Sequence, residues 1–255
     1  MATRYRARCW RTRQQTQRPA TRADTIDRAP PVRVQACGDL EFDRTGSRLH
    51  YQAMTLLLIR HGETDMNTNR VVQFPDTPLG EHGLRQAERL GQSLRKRSIA
   101  RVLTSDYARA RVTAEHVARH TGAELVVLPR LRERNFGDIR GTSYADLGEL
   151  DIFAPQFLPP GGESWEVFDR RVDAAWAEVL EHAAAIAGDI AIVTHGLVLR
   201  SLFSRTLDVS AHALETDIVV ANTAVTLVDR EPPWRVRELA SVAHLDDVKR
   251  DVAPV

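Results

Sequence analysis

The apolar positions of this chain fall into short unbroken runs, separated by stretches with helical spacing. Leu56-Leu57-Leu58-Ile59 and Ile190-Ala191-Ile192-Val193 are the clearest runs. Continuous apolar segments of this length are the pattern of strands buried on both faces of a parallel sheet. On this reading strands are expected at 55–59, 101–104, 124–128 and 190–194, with two closing strands at 224–228 and 235–239. Between them the apolar period lengthens. Leu84, Ala87, Leu90, Gly91 and Leu94 share one face of a helix expected over 81–97. A second helix is expected over 109–121, with Gly122 as its C-cap. A third runs from an N-cap at Ser164 to about Ile186. Helical residues follow His195, while 129–162 reads as irregular apart from a short helix near 144–150. Strands alternating with helices imply an α/β fold: three layers, α/β/α, around a mainly parallel sheet.

Residues 1–53 break the pattern. They are rich in Arg, Thr, Gln and Pro, show neither the strand nor the helix period, and are expected to be disordered. They hold 11 Arg against 5 acidic residues, a balance of +6 in a chain of net +1, which leaves −5 for 54–255. An Arg-rich segment of this kind reads as an organelle transit peptide, a basic interaction arm, or a dispensable tail from a start codon placed too far upstream. The last is favoured, because Met54 directly precedes the first strand. The folded domain is therefore expected to be 54–255.

The mildly acidic body gives no reason to expect a nucleic-acid partner. No stretch is apolar for long enough to span a bilayer, and no secretory h-region is present. Cys9 and Cys37, the only cysteines, both lie in 1–53, so the body has neither a disulfide framework nor a thiol nucleophile. A cytoplasmic location is the expectation.

Both long apolar runs end in a histidine followed by glycine: Arg60-His61-Gly62 and His195-Gly196. Ligands bind at the carboxyl ends of parallel strands, so the two histidines are expected to build one site. A neutral His61 imidazole suits nucleophilic attack on phosphorus, and neighbouring guanidinium groups disfavour its protonation. Arg60 is a permanent cation that matches phosphoryl oxygens bidentately. Gly62 would let the backbone approach the phosphate. Asn67 is either a donor to a phosphoryl oxygen or the start of a loop-forming turn. There is no H-x-H or H-E-x-x-H and no aspartate cluster, so no metal is expected, and no Walker loop appears.

Arg60-His61-Gly62-Glu63-Thr64 with Asn67, followed by Pro78-Leu79 and Gly83, resembles the histidine phosphatase superfamily, over roughly 54–245. That family includes cofactor-dependent phosphoglycerate mutases and many small phosphatases. The resemblance implies a phosphoglycerate mutase-like fold and further site residues. Ser105-Asp106-Tyr107-Ala108-Arg109-Ala110 with Thr113-Ala114 matches the family's phosphate-binding Arg motif, which points to Arg109. His195 would touch the transferring group as a charged donor. Leu131-Arg132-Glu133, followed by Phe136-Gly137, matches the family's general-acid motif and points to Glu133. A carboxyl desolvated in a closed pocket is raised in pKa and can protonate a leaving alkoxide; the bland alternative is a loop salt bridge with Arg132 or Arg134. Pro159-Pro160-Gly161-Gly162-Glu163-Ser164 resembles a family turn in which Glu163 would play a supporting part.

Three positions depart from the family pattern. Gln73, grouped with the substrate-binding residues, is followed by Phe74 rather than Gly. Gly80 lacks the usual Thr before the first long helix. Ile139-Arg140-Gly141 replaces an aromatic, Glu and Gly, and Arg140 would favour an anionic leaving group. The activity implied is a metal-independent phosphomonoesterase without cofactor, acting on a small phosphorylated metabolite through a phosphohistidine. A phosphoglycerate mutase and a catalytically idle phospholigand scaffold are the alternatives. Glu133 and His195 are 62 positions apart, the compact spacing associated with the phosphatases. No nucleic-acid or membrane partner is expected, and a homodimer is left open.

Overall fold

The computed structural model describes residues 54–212 and 220–245; the expected tail, 1–53, lies outside them. Strand β1 (Thr55–Arg60) leads through a one-turn helix α1 (Asp65–Thr68) to α2 (Glu81–Leu94), β2 (Ile99–Thr104), α3 (Ala108–Thr121) and β3 (Glu124–Val127). After a long irregular stretch come α4 (Trp165–Ala184), β4 (Asp189–Thr194), α5 (Gly196–Arg205), β5 (Val225–Asp229) and β6 (Val236–Ser241). The strands form one sheet in the order β3-β2-β4-β1-β5-β6. β3, β2, β4 and β1 are mutually parallel, while β5 lies antiparallel to both β1 and β6.

The unbroken apolar runs are buried on both sides because the sheet is the middle of three layers. On one face Leu57, Ile59, Ala191 and Val193 pack against α2 and α3 through Leu90, Ala110, Ala114 and Val117. On the other, Leu56, Leu58, Ile190 and Ile192 meet α4 and α5 through Phe168, Val172, Leu199 and Leu202. Successive residues of a strand point to opposite faces, so one run serves both cores. Helices α2 and α3 carry the chain outward from β1 to β2 and β3. Helix α4 brings it back to β4, which inserts between β2 and β1. The carboxyl ends of β1, β4 and β2 therefore open side by side.

Local signals act as the sequence suggests at several ends. Gly122 closes α3 in the left-handed region at φ 73°, and the Ser164 side chain accepts from Val167 N–H at the start of α4. Gly80 offers no side-chain cap to α2. One expectation needs correction. Residues 144–150 are a chain of turns, not a helix. Their bonds run mostly from i to i+3, and Gly148 at φ 60° interrupts the spiral. The short helix α1 went unread; it is held by Thr64 and Asn67, whose side chains cap each other's backbone N–H.

The irregular stretch is fastened by Arg134, expected at most to pair with Glu133. Its side chain is 1% exposed and stacks on Trp165, 4.0 Å from the ring centre. Its guanidinium donates to the carbonyl oxygens of Ile152 (3.1 Å), Phe157 (2.6 Å) and Glu163 (3.0 Å). Arg134→Met keeps the length but strands those three carbonyl acceptors, one buried and two half-buried. It is expected to cost about 3 kcal/mol, seen as a drop of about 6–12 °C in Tm for a domain of this size. A melt within about 2 °C of the parent would show that the clamp contributes little.

Candidate active site

Four of the residues singled out in the sequence, Arg60, His61, Arg109 and His195, are each at most 4% exposed and meet where β1 and β4 end. The register explains the meeting. Arg60 is paired with Thr194 across the parallel strands, which sets His61 beside His195 with ring centres 5.2 Å apart. Thr104 lies opposite Val193, which brings Ser105 and the start of α3 to the same edge.

His61 has a defined tautomer. Nδ1 lies 2.7 Å from the carbonyl oxygen of Gly62; a carbonyl only accepts, so Nδ1 carries the proton. Nε2 accepts from Arg109 Nε–H at 3.3 Å, so its lone pair faces the guanidinium. Burial pushes the His61 pKa well below the ordinary histidine value, and Arg109 and Arg60 push it further. Asn222 Nδ2 donates to the His61 carbonyl at 2.9 Å, while Thr223 N–H donates to the carbonyls of Arg60 and His61. These contacts fix the backbone at the strand exit.

The two arginines are held by carbonyl oxygens, not by carboxylates. Arg60 Nη1 donates to Val220 O at 2.6 Å, and its buried Nε has no partner among the described residues. Arg109 Nη1 donates to Phe74 O at 2.9 Å. Burial lowers the Arg109 pKa to about 10, which leaves it charged at neutral pH. His195 Nε2 lies 2.9 Å from Ser105 Oγ, which also accepts from Tyr107 N–H. Its Nδ1 is buried without a partner among the described residues. With the serine hydroxyl donating to Nε2, Nδ1 holds the ring proton and is a free donor. Burial, together with Arg109, His61 and Arg60, holds His195 well below the ordinary histidine pKa.

Glu133 stands at the rim. Oε1 accepts from Arg134 N–H at 2.9 Å and Oε2 from Leu197 N–H, in the first turn of α5, at 3.2 Å. Desolvation raises its pKa above the usual carboxylate value and outweighs these donors and the nearby arginines. The loop that carries it is set by Arg171, which went unremarked in the sequence. Arg171 forks onto Glu163 at 2.8 and 2.7 Å, and donates to the carbonyls of Arg130, Arg132 and Glu133. Glu163 thus supports Glu133 through Arg171.

Arg60, His61, Asn67, Gln73, Arg109 and Glu133 line a small inner cavity of about 50 Å³. Asn67 Oδ1 accepts from Thr64, the turn-forming arrangement, which leaves its NH₂ as the end available to a ligand. Gly62 differs from its reading. Its N–H is spent on Thr113 Oγ1 at 3.0 Å and its carbonyl on His61. It is glycine because a Cβ there would stand 2.8 Å from the carbonyl oxygen of Gly83, where α2 packs against the loop. A wider cleft of about 960 Å³ lies outside the inner cavity, and Tyr107, Glu133 and Arg140 line both. Among the described residues no group of three or more His, Cys, Asp or Glu side chains could hold a metal ion, and no helix is long and apolar enough to cross a membrane.

Sequence reasoning missed Asn222, Ser105 and Tyr107. Ser105 and Tyr107 lie inside the motif that pointed to Arg109. Asn222 sits 161 positions from His61 with no local pattern to mark it.

The chain is similar to several known proteins. The chain is 34% identical over 208 residues to the "Probable phosphoglycerate mutase GpmB" of Klebsiella pneumoniae, covering 76% of this chain and 95% of the relative. The crystal structure of the α-ribazole phosphatase from Shigella flexneri superposes with a TM-score of 0.64 at 30% identity, over 74% of this chain and 96% of that one. A mycobacterial glucosyl-3-phosphoglycerate phosphatase, solved with VO3, gives 0.60 at 28% identity, over 72% and 97%. The family model of the histidine phosphatase superfamily (branch 1) matches residues 56–240. The chain belongs to that family, and it is an enzyme of the histidine-phosphatase type.

Proposed function

We propose that the protein is a phosphomonoesterase that hydrolyses a small phosphorylated metabolite through a phosphohistidine at His61. One observation carries the reading: an unprotonated His61 Nε2 accepts from the buried Arg109 guanidinium and shares its cavity with buried Arg60, and neither arginine has an ion-paired carboxylate among the described residues. Two uncompensated cations around a neutral nucleophile suit a phosphate dianion.

As the ester enters, the Arg109 guanidinium turns from Nε2 to the phosphoryl oxygens, which also take the orphan donors Arg60 Nε and His195 Nδ1. A dianion beside His195 favours its protonated form, reversing the effect of the two arginines. The Nε2 lone pair attacks phosphorus, the ester P–O bond breaks, and the Glu133 carboxyl proton passes to the leaving oxygen. The His61 Nδ1 proton stays on the ring, donated to the Gly62 carbonyl. Glu133, now a carboxylate held by two N–H groups, takes a proton from water. The water oxygen attacks phosphorus and the N–P bond breaks, releasing phosphate and restoring the imidazole. The guanidinium groups supply the charge stabilisation, so EDTA is expected to leave the rate unchanged.

The mutase alternative draws support from relatives named phosphoglycerate mutase. The hydrolase reading rests on the compact stretch between Glu133 and His195 and on the wide outer cleft, several of whose walls are exposed, so water reaches the phosphoenzyme. The test is phosphate release from nitrophenyl phosphate and a panel of sugar and glycerate phosphates, run beside a mutase assay primed with bisphosphoglycerate. Hydrolysis exceeding mutase turnover supports the proposal. Mutase turnover exceeding hydrolysis, or no turnover in either assay, overturns it.

A further inference from the structure

Five arginines line the outer cleft, and four are spoken for. Arg111 pairs with Glu115 at 2.9 Å, Arg130 with Glu178 at 3.1 Å and Arg171 with Glu163 at 2.7 Å; Arg132 forks onto Asp106. Arg140 is the exception. Among the described residues it has no carboxylate within ion-pair distance, and the one hydrogen bond of its guanidinium is a long 3.5 Å contact from Nη2 to the Tyr107 hydroxyl. It is half-buried, so its charge has given up part of its hydration without gaining a counter-ion, a costly state unless a ligand supplies one.

Its position says which ligand group that is. Arg140 shares with Tyr107 and Glu133 the junction between the inner cavity and the outer cleft. The oxygen that takes the Glu133 proton lies at this junction, so the carbon skeleton bearing it leaves past Arg140. Of the carboxyl groups of the outer cleft without an arginine partner, Asp76 does not line the inner cavity, and Glu133, which does, gives its two oxygens to the Arg134 and Leu197 N–H groups and not to Arg140.

We infer that Arg140 reads the leaving group, selecting phosphomonoesters whose alcohol carries an anionic group of its own, a carboxylate or a second phosphate. This rests on the phosphomonoesterase reading for its chemistry but not for its test. Two matched pairs decide it: phosphoglycerate against glycerol phosphate, and a diol bisphosphate against its monophosphate. The first pair isolates a carboxylate, the second a phosphate. Each pair is compared twice, by kcat/KM for phosphate release in the parent protein and by calorimetric Kd in His61→Ala, which leaves the esters intact.

The anionic member of at least one pair is expected to be favoured by about 10- to 100-fold, the range of a charge-assisted contact. Arg140→Gln should bring that ratio close to one, and Arg140→Lys should keep part of it. Thermal melts of the variants establish that they are folded, and Arg140→Met, with the same loss expected, stands in if the glutamine variant is not. Equal binding of both members of both pairs in the parent, or a preference that survives Arg140→Gln, would overturn the inference. Absence of turnover with intact selective binding would instead sink the phosphomonoesterase reading and leave Arg140's role standing.

Discussion

Replacing His61 by alanine is expected to lower phosphate release by about 10⁵-fold, in the range seen when the nucleophile of a covalent mechanism is removed. The loss is this large because the geometry offers no substitute. Nε2 of His61 is the imidazole nitrogen whose lone pair faces the Arg109 guanidinium, the ring proton being fixed on Nδ1 by the Gly62 carbonyl. Arg60 and Arg109 are cations, and His195 is committed to Ser105 on one side. Binding should survive where chemistry does not. Arg60 and Arg109 remain in the variant, so the Kd for inorganic phosphate is expected to stay within about tenfold of the parent, since the imidazole adds at most one neutral contact. Turnover within tenfold of the parent would exclude His61 as nucleophile.

Glu133→Gln should separate substrates by the basicity of their leaving group. Alkyl phosphates expel an alkoxide that needs a proton, and the variant is expected to lose about 10²–10⁴-fold on them. Nitrophenyl phosphate leaves without a proton and should fall by less than about tenfold. The pH profile gives a second readout. Desolvation lifts the Glu133 pKa, so the acid form persists above the usual carboxylate range. In the parent, kcat/KM for an alkyl phosphate should fall as pH rises through that raised value. Burial pushes His61 and His195 the other way, so in the free enzyme neither is expected to set this limb, and Glu133→Gln should remove it. Equal losses on both substrates, with the limb intact, would reduce Glu133 to a structural residue.

The strands and their order of burial were legible because a parallel strand inside three layers must be apolar at every position, as Leu56–Ile59 and Ile190–Val193 are. The pairing of the two histidines followed from the same fact, since β1 and β4 turn out to be neighbours in register. What stayed hidden depends on long-range placement. Asn222 and Val220 reach the strand exit from the segment before β5, and nothing near them in the chain announces it. The solitary state of Arg140 is visible only once Asp106, Glu115, Glu163 and Glu178 have each found another arginine. The sequence around Arg134 suggested an ion pair with its neighbour, but the fold uses its guanidinium to gather three carbonyls 18 to 29 positions away. Residues 144–150 have helix-compatible composition, yet the glycine at φ 60° and the bridge between Val71 and Ser143 keep them as turns.

The central claim is that the phosphoryl group passes through Nε2 of His61. Rapid quenching of a single turnover with radiolabelled substrate, followed by peptide mapping and phosphorus NMR under alkaline conditions, tests it directly. The account predicts a transient, acid-labile label on the peptide containing His61, attached at Nε2 and absent from His61→Ala. A turnover with no covalent label, or a label on Nδ1 or on any other residue, would contradict it.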